Sequence, residues 1–274
     1  MANIPLEDGF ADVMGKAQRG LKISDDDLSG RAGITIEILT KLKSGEFDET
    51  TARKVAPILN LAANALVELG KKSWYPPMHE VAGLASFNTI FEDMTVNSYL
   101  VFDPQTKQAA TFDTGTDASP MLKFAKENSL KIKLILLTHI HPDHIADLEK
   151  LKKETGAPAH VCELEPVAGA ETFKPGKAFS LGNLKIESRQ TSGHARGGIT
   201  FFVSGLQKPV AIVGDAIFCG SMGGGAVSFE EALRTNRQNI FSLPEETVLC
   251  PGHGPLTTVA EQKQHNPFYP EFSK

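Results

Sequence analysis

The sequence predicts an α/β protein in which helices cover two β-sheets, with a small all-helical segment in front. Only helical patterns occur up to about residue 72, and β-rich segments begin after the pair Pro76-Pro77. From there strands alternate with helices over about two hundred residues, the pattern of a layered α/β domain. We therefore predict a helical domain (residues 1–72), a linker (73–79) and an α/β domain (80–274).

The composition indicates a soluble globular protein. Of 274 residues, 41% are hydrophobic and 22% are charged, and the net charge of −5 provides no general attraction to nucleic acid or anionic membranes. The first residues lack the basic and apolar regions of a signal peptide, and no apolar run approaches the roughly 20 residues that span a bilayer. The three cysteines form no CxxC pair. We therefore expect a cytoplasmic location, no membrane contact and no disulfide framework.

The first domain is predicted to contain five short helices. Ser24 and Thr35 have the position of N-caps, and Gly33 ends the helix between them. Helix, turn with glycine, helix is the helix-turn-helix pattern. The expected helices cover residues 10–20, 25–33, 36–43, 49–59 and 61–69.

This domain resembles the Cro/repressor class of helix-turn-helix domains. The resemblance rests on Ile23 to Leu28, Ala32 to Thr35, Ile38-Leu39, Leu42 to Gly45, and Leu59 with Leu61. Residues 1–72 hold ten Lys and Arg against eleven Asp and Glu, however, whereas a DNA-binding surface is basic. DNA binding is therefore not favoured, and a helical cap or a dimerisation module is preferred. Since helix-turn-helix relatives usually pair, the resemblance implies a homodimer.

The second domain shows strand patterns separated by helical ones. A helix is expected at residues 121–130, another continues from Ile145 to Thr155, and a third covers 229–241. The expected strands cover residues 85–91, 95–102, 109–112, 132–137, 159–161, 184–186, 199–203, 210–213 and, as the last one, 247–250.

One stretch of this domain is typical of a metal site. A buried strand runs into His139, and His141 is two residues further on extended backbone, so both side chains project to one side. Pro142 suits the first turn of a helix, where Asp143 and His144 can face the same point. Imidazole and carboxylate groups clustered in this way suit zinc, iron or manganese.

Three further strand ends supply matching groups. His194 follows a glycine after one strand, Asp215 follows the buried strand that ends at Gly214, and His253 lies between two glycines after the last predicted strand. Together these residues resemble the metallo-β-lactamase superfamily, and within it the hydrolases similar to glyoxalase II, because the same groups occur there in the same order.

The resemblance implies an αββα sandwich with metal ions at the sheet edges. It assigns His139, His141 and His194 to one metal, and Asp143, His144 and His253 to a second. Asp215 would bridge the two ions, and Asp113 resembles a buried aspartate that orients a ligand histidine. Two divalent ions are implied, most readily zinc, with iron or manganese as alternatives.

The chemistry implied by this set is hydrolysis. Two metal ions share a hydroxide that is available at neutral pH, and one of them polarises the substrate carbonyl. Asp143 would orient the hydroxide as the catalytic carboxylate. The prediction is a glyoxalase II-like metallo-hydrolase of a small-molecule thioester, ester or lactone.

The loop after Asp215 departs from glyoxalase II. It contains Ser221, Met222 and Gly223, which we expect to contact substrate, but no Lys or Arg that would bind glutathione. A smaller substrate is therefore expected, and the N-terminal helices can form part of the pocket wall.

Two other functions remain open at this point. A protein similar to persulfide dioxygenases would hold one iron through His139, His194 and Asp215. A DNA-binding regulator would use the metal domain as a sensor of metal or metabolite.

Overall fold

The structure is a computed structural model that describes residues 4–272. Two six-stranded sheets face each other, which confirms the predicted two-sheet α/β architecture. Among the described residues the helices are α1 (Phe10–Leu21), α2 (Asp25–Ala32), α3 (Ile36–Lys43), α4 (Glu49–Val55), α5 (Ala63–Lys71), α6 (Ser119–Glu127), α7 (Pro142–Ile145), α8 (Leu148–Thr155), α9 (Phe229–Asn239) and α10 (Val259–His265). The strands are β1 (Leu84–Phe91), β2 (Met94–Phe102), β3 (Gln108–Phe112), β4 (Lys131–Leu136), β5 (Ala159–Cys162), β6 (Glu171–Phe173), β7 (Ala178–Leu181), β8 (Leu184–Gln190), β9 (Ile199–Ser204), β10 (Val210–Gly214), β11 (Val248–Pro251) and β12 (Thr257–Thr258).

The two sheets have related strand orders. The first sheet runs β1-β2-β3-β4-β5-β6 and the second β12-β11-β10-β9-β8-β7. Strand β4 is parallel to both of its neighbours, and β10 is parallel to β11. Because parallel strands end at the same edge of a sheet, the residues that follow β4, β10 and β11 are brought to one edge of the sandwich.

Alternation along the strands produces separate apolar layers. In β10, Val210 and Ile212 face the layer between the sheets, whereas Ala211 and Val213 face outward. Helices α6 and α8 cover the outer face of the first sheet.

The five N-terminal helices pack on the outer face of the second sheet. Phe10, Val13 and Met14 of α1 are buried in the same apolar cluster as Ala211 of β10 and Tyr269 near the C-terminus. A Cβ atom on Gly20 would lie 2.2 Å from the Phe229 ring, so this glycine lets α1 approach α9 closely. The helical segment therefore adds to the helix layer of the sandwich.

Several predicted boundaries were wrong for local reasons. Helix α4 ends at Val55 because Pro57 lacks the N–H that would continue it. The helix predicted from Ile145 to Thr155 is interrupted, because the Asp147 N–H donates to Thr114 Oγ1 at 3.1 Å and its carboxylate accepts from Ala118 N at 2.8 Å. The strand around Cys250 is not the last one. Strands β6, β7 and β12 and helix α10 were not predicted from the sequence.

Among the described residues, no helix is both long enough and apolar enough to cross a bilayer.

Candidate metal centre

The metal-type side chains follow the ends of strands from both sheets. His139 and His141 follow β4, and α7 begins at Pro142 immediately after them. From the second sheet, Asp215 follows β10 and His253 follows β11. The fourth segment is the β8–β9 connection, which carries His194.

These side chains form two adjacent donor groups. One contains His139, His141, His194 and Asp215, and the other contains Asp143, His144 and His253. In each group one ligand atom per residue lies within 4.8 Å of all the others. The structure thus brings together every residue that the sequence suggested as a ligand.

Asp215 lies between the two groups. Its Oδ2 atom is 3.4 Å from His194 Nε2 in the first group and 3.5 Å from His253 Nε2 in the second. Its Oδ1 atom is 3.3 Å from His144 Nε2. A carboxylate that lies within 3.5 Å of imidazole nitrogens from both donor groups is placed to bridge two cations.

The buried polar atoms fit a metal better than a closed hydrogen-bond network. His144 Nε2 and Asp215 Oδ1 are inaccessible to solvent, and neither has a hydrogen-bond partner. Unpartnered buried polar groups are costly, whereas metal coordination would satisfy both atoms. Imidazole nitrogens and carboxylates together suit zinc, iron and manganese.

Hydrogen bonds behind the ligands fix the orientation of the imidazoles. His144 Nδ1–H donates to Asp113 Oδ2 at 2.8 Å, and the Thr138 N–H holds Asp113 Oδ1 at 2.8 Å. His253 Nδ1–H donates to the Thr95 carbonyl at 2.7 Å. Each bond leaves the Nε2 atom free to coordinate. Asp113 could be predicted from the sequence as such a partner. The Thr95 carbonyl could not, because every residue has a backbone carbonyl and no residue type marks this one.

The electrostatics of the centre depend on its two aspartates. Burial lowers the pKa of His139 well below its usual value, and its histidine neighbours lower it further. Burial also acts to lower the pKa of His144, but Asp215 and Asp113 outweigh it and raise that pKa to about 10. For His253, Asp143 and Asp215 overcome burial and raise the pKa to about 11. The carboxylates thus favour the protonated form of both imidazoles, and a metal ion would compete with protons for their Nε2 atoms.

A comparison with protein families identifies the superfamily in which this centre occurs. The model of the metallo-beta-lactamase superfamily matches residues 92–253, a span that contains all seven donor residues. The chain belongs to this superfamily. Membership implies divalent metal ions, but their identity is not fixed by it.

Similar proteins include relatives named as hydrolases. A probable metallo-hydrolase (YqgX) of Bacillus subtilis is 29% identical over 203 residues, 65% of this chain and 93% of the relative. A hydroxyacylglutathione hydrolase (GloC) of Haemophilus influenzae is 27% identical over 197 residues, 63% of this chain and 92% of the relative. The crystal structure of the B3 metallo-beta-lactamase BLEG-1 superposes with a TM-score of 0.59 and 26% identity, over 68% of this chain and 99% of that one.

The glycine-rich loop after Asp215 lies against the donor residues of the centre, but its side chains do not point where the sequence suggested. The side chains of Ser221 and Met222, expected to contact substrate, are buried. Ser221 Oγ donates to Asp8 Oδ2 at 2.5 Å, and Met222 belongs to the apolar cluster under the N-terminal helices. Both side chains therefore face the interior of the protein. Gly223 lies at the centre itself, because a Cβ there would be 2.9 Å from His194 Nδ1.

An N-terminal segment outside the superfamily match also reaches the centre. Glu7 lies beside Gly254, where an added Cβ would be 3.3 Å from Glu7 N. Burial raises the pKa of Glu7, the His253 imidazole opposes this, and the Asp215 carboxylate adds to it. Lys16 of α1 pairs with Asp8 and donates to the Met222 carbonyl at 2.9 Å. Nothing in the local sequence around residues 4–16 signals these contacts.

The remaining histidines lie outside the two donor groups. His79 and His265 are both largely covered. His79 Nε2 is 3.0 Å from a Glu261 oxygen, and His265 stacks on Trp74 with ring centroids 4.0 Å apart. His160 is buried beside Phe179.

All three cysteines are free and buried, which agrees with the predicted absence of disulfides. Burial raises the pKa of Cys219 to about 12, so this thiol is a poor nucleophile.

Proposed function

We propose that this protein is a dinuclear metal-dependent hydrolase, most readily a zinc enzyme, that cleaves a thioester, ester or lactone. The observation that carries the proposal is the pair of adjacent donor groups that share Asp215. Two donor groups this close suit the two-metal arrangement of hydrolytic enzymes.

Each residue has a defined task in this proposal. His139, His141 and His194 would hold one ion, and Asp215 would bridge it to the other ion. The second ion would be held by the three residues of the other group, Asp143, His144 and His253. When bound, the two ions would polarise the scissile carbonyl and make hydroxide available at neutral pH.

The chain's own groups position the reactants around this pair. The Oδ2 atom of Asp143 lies 3.3 Å from His253 Nε2 and 3.5 Å from His144 Nε2. This places it to accept a hydrogen bond from the attacking water and orient it, the catalytic role we assign to it. Asp113 keeps the Nδ1 proton on His144, so the Nε2 lone pair faces the centre.

The substrate class rests on the relatives and on the loop chemistry. Relatives are named as metallo-hydrolases, and one is named for a glutathione thioester activity. Residues 220–225 here contain no Lys or Arg to bind the carboxylates of glutathione. We therefore propose an acyl substrate smaller than a glutathione thioester.

The test combines metal analysis with hydrolysis. The purified protein, never exposed to chelator, is analysed for zinc, iron and manganese per chain and then assayed with thioesters, esters and lactones. About two zinc ions per chain and a hydrolysis rate lost in His141→Ala would support the proposal.

Two results would contradict it. One iron per chain, with oxygen uptake on glutathione persulfide and no hydrolysis, would favour a dioxygenase instead. A protein that binds no metal would exclude both functions.

A further inference from the structure

The segment that precedes α1 packs beside the loop that carries the ligand His253, and we call it the N-terminal wall. Its backbone passes Gly254, the residue after His253, with Pro5 O 3.6 Å and Glu7 N 3.3 Å from the position of a Gly254 Cβ. The Tyr75 hydroxyl fixes the start of the segment by donating to the Ile4 carbonyl at 2.5 Å. The segment is therefore held at both ends, since Asp8 is also anchored.

Most charges of this wall are compensated by direct partners. The Asp8 carboxylate accepts from Ser221 Oγ and pairs with the Lys16 ammonium. Lys16 is fully engaged, because it also donates to the Met222 carbonyl and lies 5.2 Å from the centroid of the Phe218 ring. Phe218 in turn contacts the His253 ring edge to face, with centroids 5.6 Å apart.

Glu7 is the exception in this wall. Within residues 4–272, no Lys, Arg or His nitrogen lies within 4.0 Å of its half-buried carboxylate. After burial, the charges that act on its pKa are those of His253, Asp8, Lys16 and Asp215, in that order, and Asp8 and Lys16 are paired with each other. Glu7 thus adds an unpaired negative charge at the edge of the site, and the loop 220–225 on the same side supplies no cation.

We propose that Glu7 is a specificity-determining residue that makes the site prefer substrates with a cationic group near the scissile bond over those with an anionic one. The inference rests on the proposed hydrolase function and names its substrate class more closely. A partly buried carboxylate is screened less than a surface charge, so it repels a second carboxylate and attracts an ammonium group a few ångströms away. Because residues 4–8 lie outside the superfamily match, this preference belongs to this chain's own N-terminal segment.

The preference is measured with three acetyl thioesters that differ in the charge of the thiol. They are acetylthiocholine, its neutral isostere 3,3-dimethylbutyl thioacetate, and S-acetyl-3-mercaptopropionate. We compare the ratio of kcat/KM for the cationic ester to that for the anionic ester between the zinc-loaded wild type and Glu7→Gln, because the different reactivities of the three thiols cancel in this comparison. In Glu7→Gln, which keeps the shape and removes the charge, the ratio should be about tenfold lower than in the wild type, the effect of one nearby charge at intermediate dielectric.

Two variants serve as controls. Glu7→Asp keeps the charge and should keep the preference. Glu246→Gln removes an exposed carboxylate just before β11, at the opposite end of that strand from His253, and should leave the ratio unchanged. An equal ratio in the wild type and in Glu7→Gln would overturn the inference, provided that a thermal unfolding transition shows both proteins to be folded.

A binding measurement separates this inference from the hydrolase proposal. Thiocholine and 3-mercaptopropionate are titrated into cobalt-substituted protein, and their dissociation constants are read from the visible absorption. A charge preference that Glu7→Gln removes, in a protein without thioesterase activity, would support the role of Glu7 and contradict the hydrolase. Hydrolysis by the wild type, with no effect of Glu7→Gln on either measurement, would support the hydrolase and contradict the role of Glu7.

Discussion

Asp113 determines which nitrogen of His144 faces the metal centre. Its carboxylate accepts from His144 Nδ1 and from the Thr138 N–H and hydroxyl. Its backbone has a φ of 56°, which Asn tolerates, so Asp113→Asn changes the charge with little backbone strain. We expect this variant to bind metal about 10- to 100-fold more weakly, the usual loss for a partner of a ligand histidine. Competition with a chromophoric chelator measures it, and an unchanged affinity would show that Asp113 does not orient His144.

Two neighbouring glycines provide a matched test of how tightly the loop packs on the ligands. A Cβ on Gly223 would lie 1.9 Å from the Asp215 carbonyl oxygen, whereas a Cβ on Gly224 meets nothing within 4 Å. Gly223→Ala must therefore displace Asp215 or the loop. We expect it to lose at least about tenfold in metal affinity, because ligand geometry must hold within a few tenths of an ångström. Gly224→Ala, which retains the carbonyl that accepts from His194 Nδ1, should behave as wild type in the same titration. Equal affinities for the two variants would contradict this packing.

The Asp103 carboxylate is expected to make the free energy of unfolding depend on pH in the acid range. Its carboxylate accepts from the N–H groups of Asn183 and Gln105, at 2.8 and 2.9 Å, and these bonds lower its pKa to about 2. A depressed pKa stabilises the folded protein above the unfolded-state pKa of about 4, and the contribution is lost as the pH falls from about 4 to 2. Asp103→Asn should therefore lower the denaturation midpoint at pH 7, with the difference shrinking below pH 4. Asp93→Asn, in the exposed turn after β1, is the control. A difference that does not change with pH would show that the carboxylate charge is not responsible.

At the scale of single residues, the sequence predicted groups whose chemistry is unusual for their position. Histidines and aspartates directly after buried strands have few structural reasons to be there, so the donor residues could be named. Glu7 could not, because its relation to His253 arises only when opposite ends of the sequence meet in the fold. Ser221 and Met222 were predicted to contact substrate because they lie near Asp215 in sequence, but the loop turns their side chains into the interior.

The exposed surface of helices α2 and α3 is poorly suited to DNA binding. Lys43 of α3 is paired with Asp25 of α2 at 2.6 Å, and the exposed positions of α3 include the apolar Ile36 and Ile38. Such a surface offers few cations to phosphates. We expect no shift of mixed-sequence duplex DNA at physiological salt in a gel-shift assay. Sequence-specific retardation that Lys41→Ala weakens would contradict this.

Caps were easier to predict than the ends of helices and strands. The Ser24 and Thr35 hydroxyls accept from N–H groups in the first turns of α2 and α3, as their positions suggested. Capping is local, within three residues. The break at Asp147 depends on contacts with residues 114 and 118, and β6 and β12 are too short to carry a periodic pattern. Such features are decided by tertiary contacts.

At the scale of the molecule, the sequence boundary at residue 72 does not separate two hydrophobic cores. The buried residues of α1 to α5 belong to one cluster with the outer face of β10 and β11 and with α9. We expect a fragment of residues 73–274 to aggregate or to unfold without cooperativity, because removal of the helices exposes this apolar face. The full chain should unfold in a single calorimetric transition. A soluble fragment with a cooperative transition of its own would show that the helices form an independent domain.

The origin of the ligands in both sheets sets a condition on when the protein can acquire its metals. Each donor group combines residues after β4 with residues that follow strands of the second sheet. During synthesis the first group is incomplete until Asp215 has been made, and the second until His253 has been made. A growing chain that has produced only the HxHxDH stretch offers neither complete set. Complete metal sites are therefore available only late in the synthesis of the chain. A bound ion indicates that the two sheets have come together in the fold.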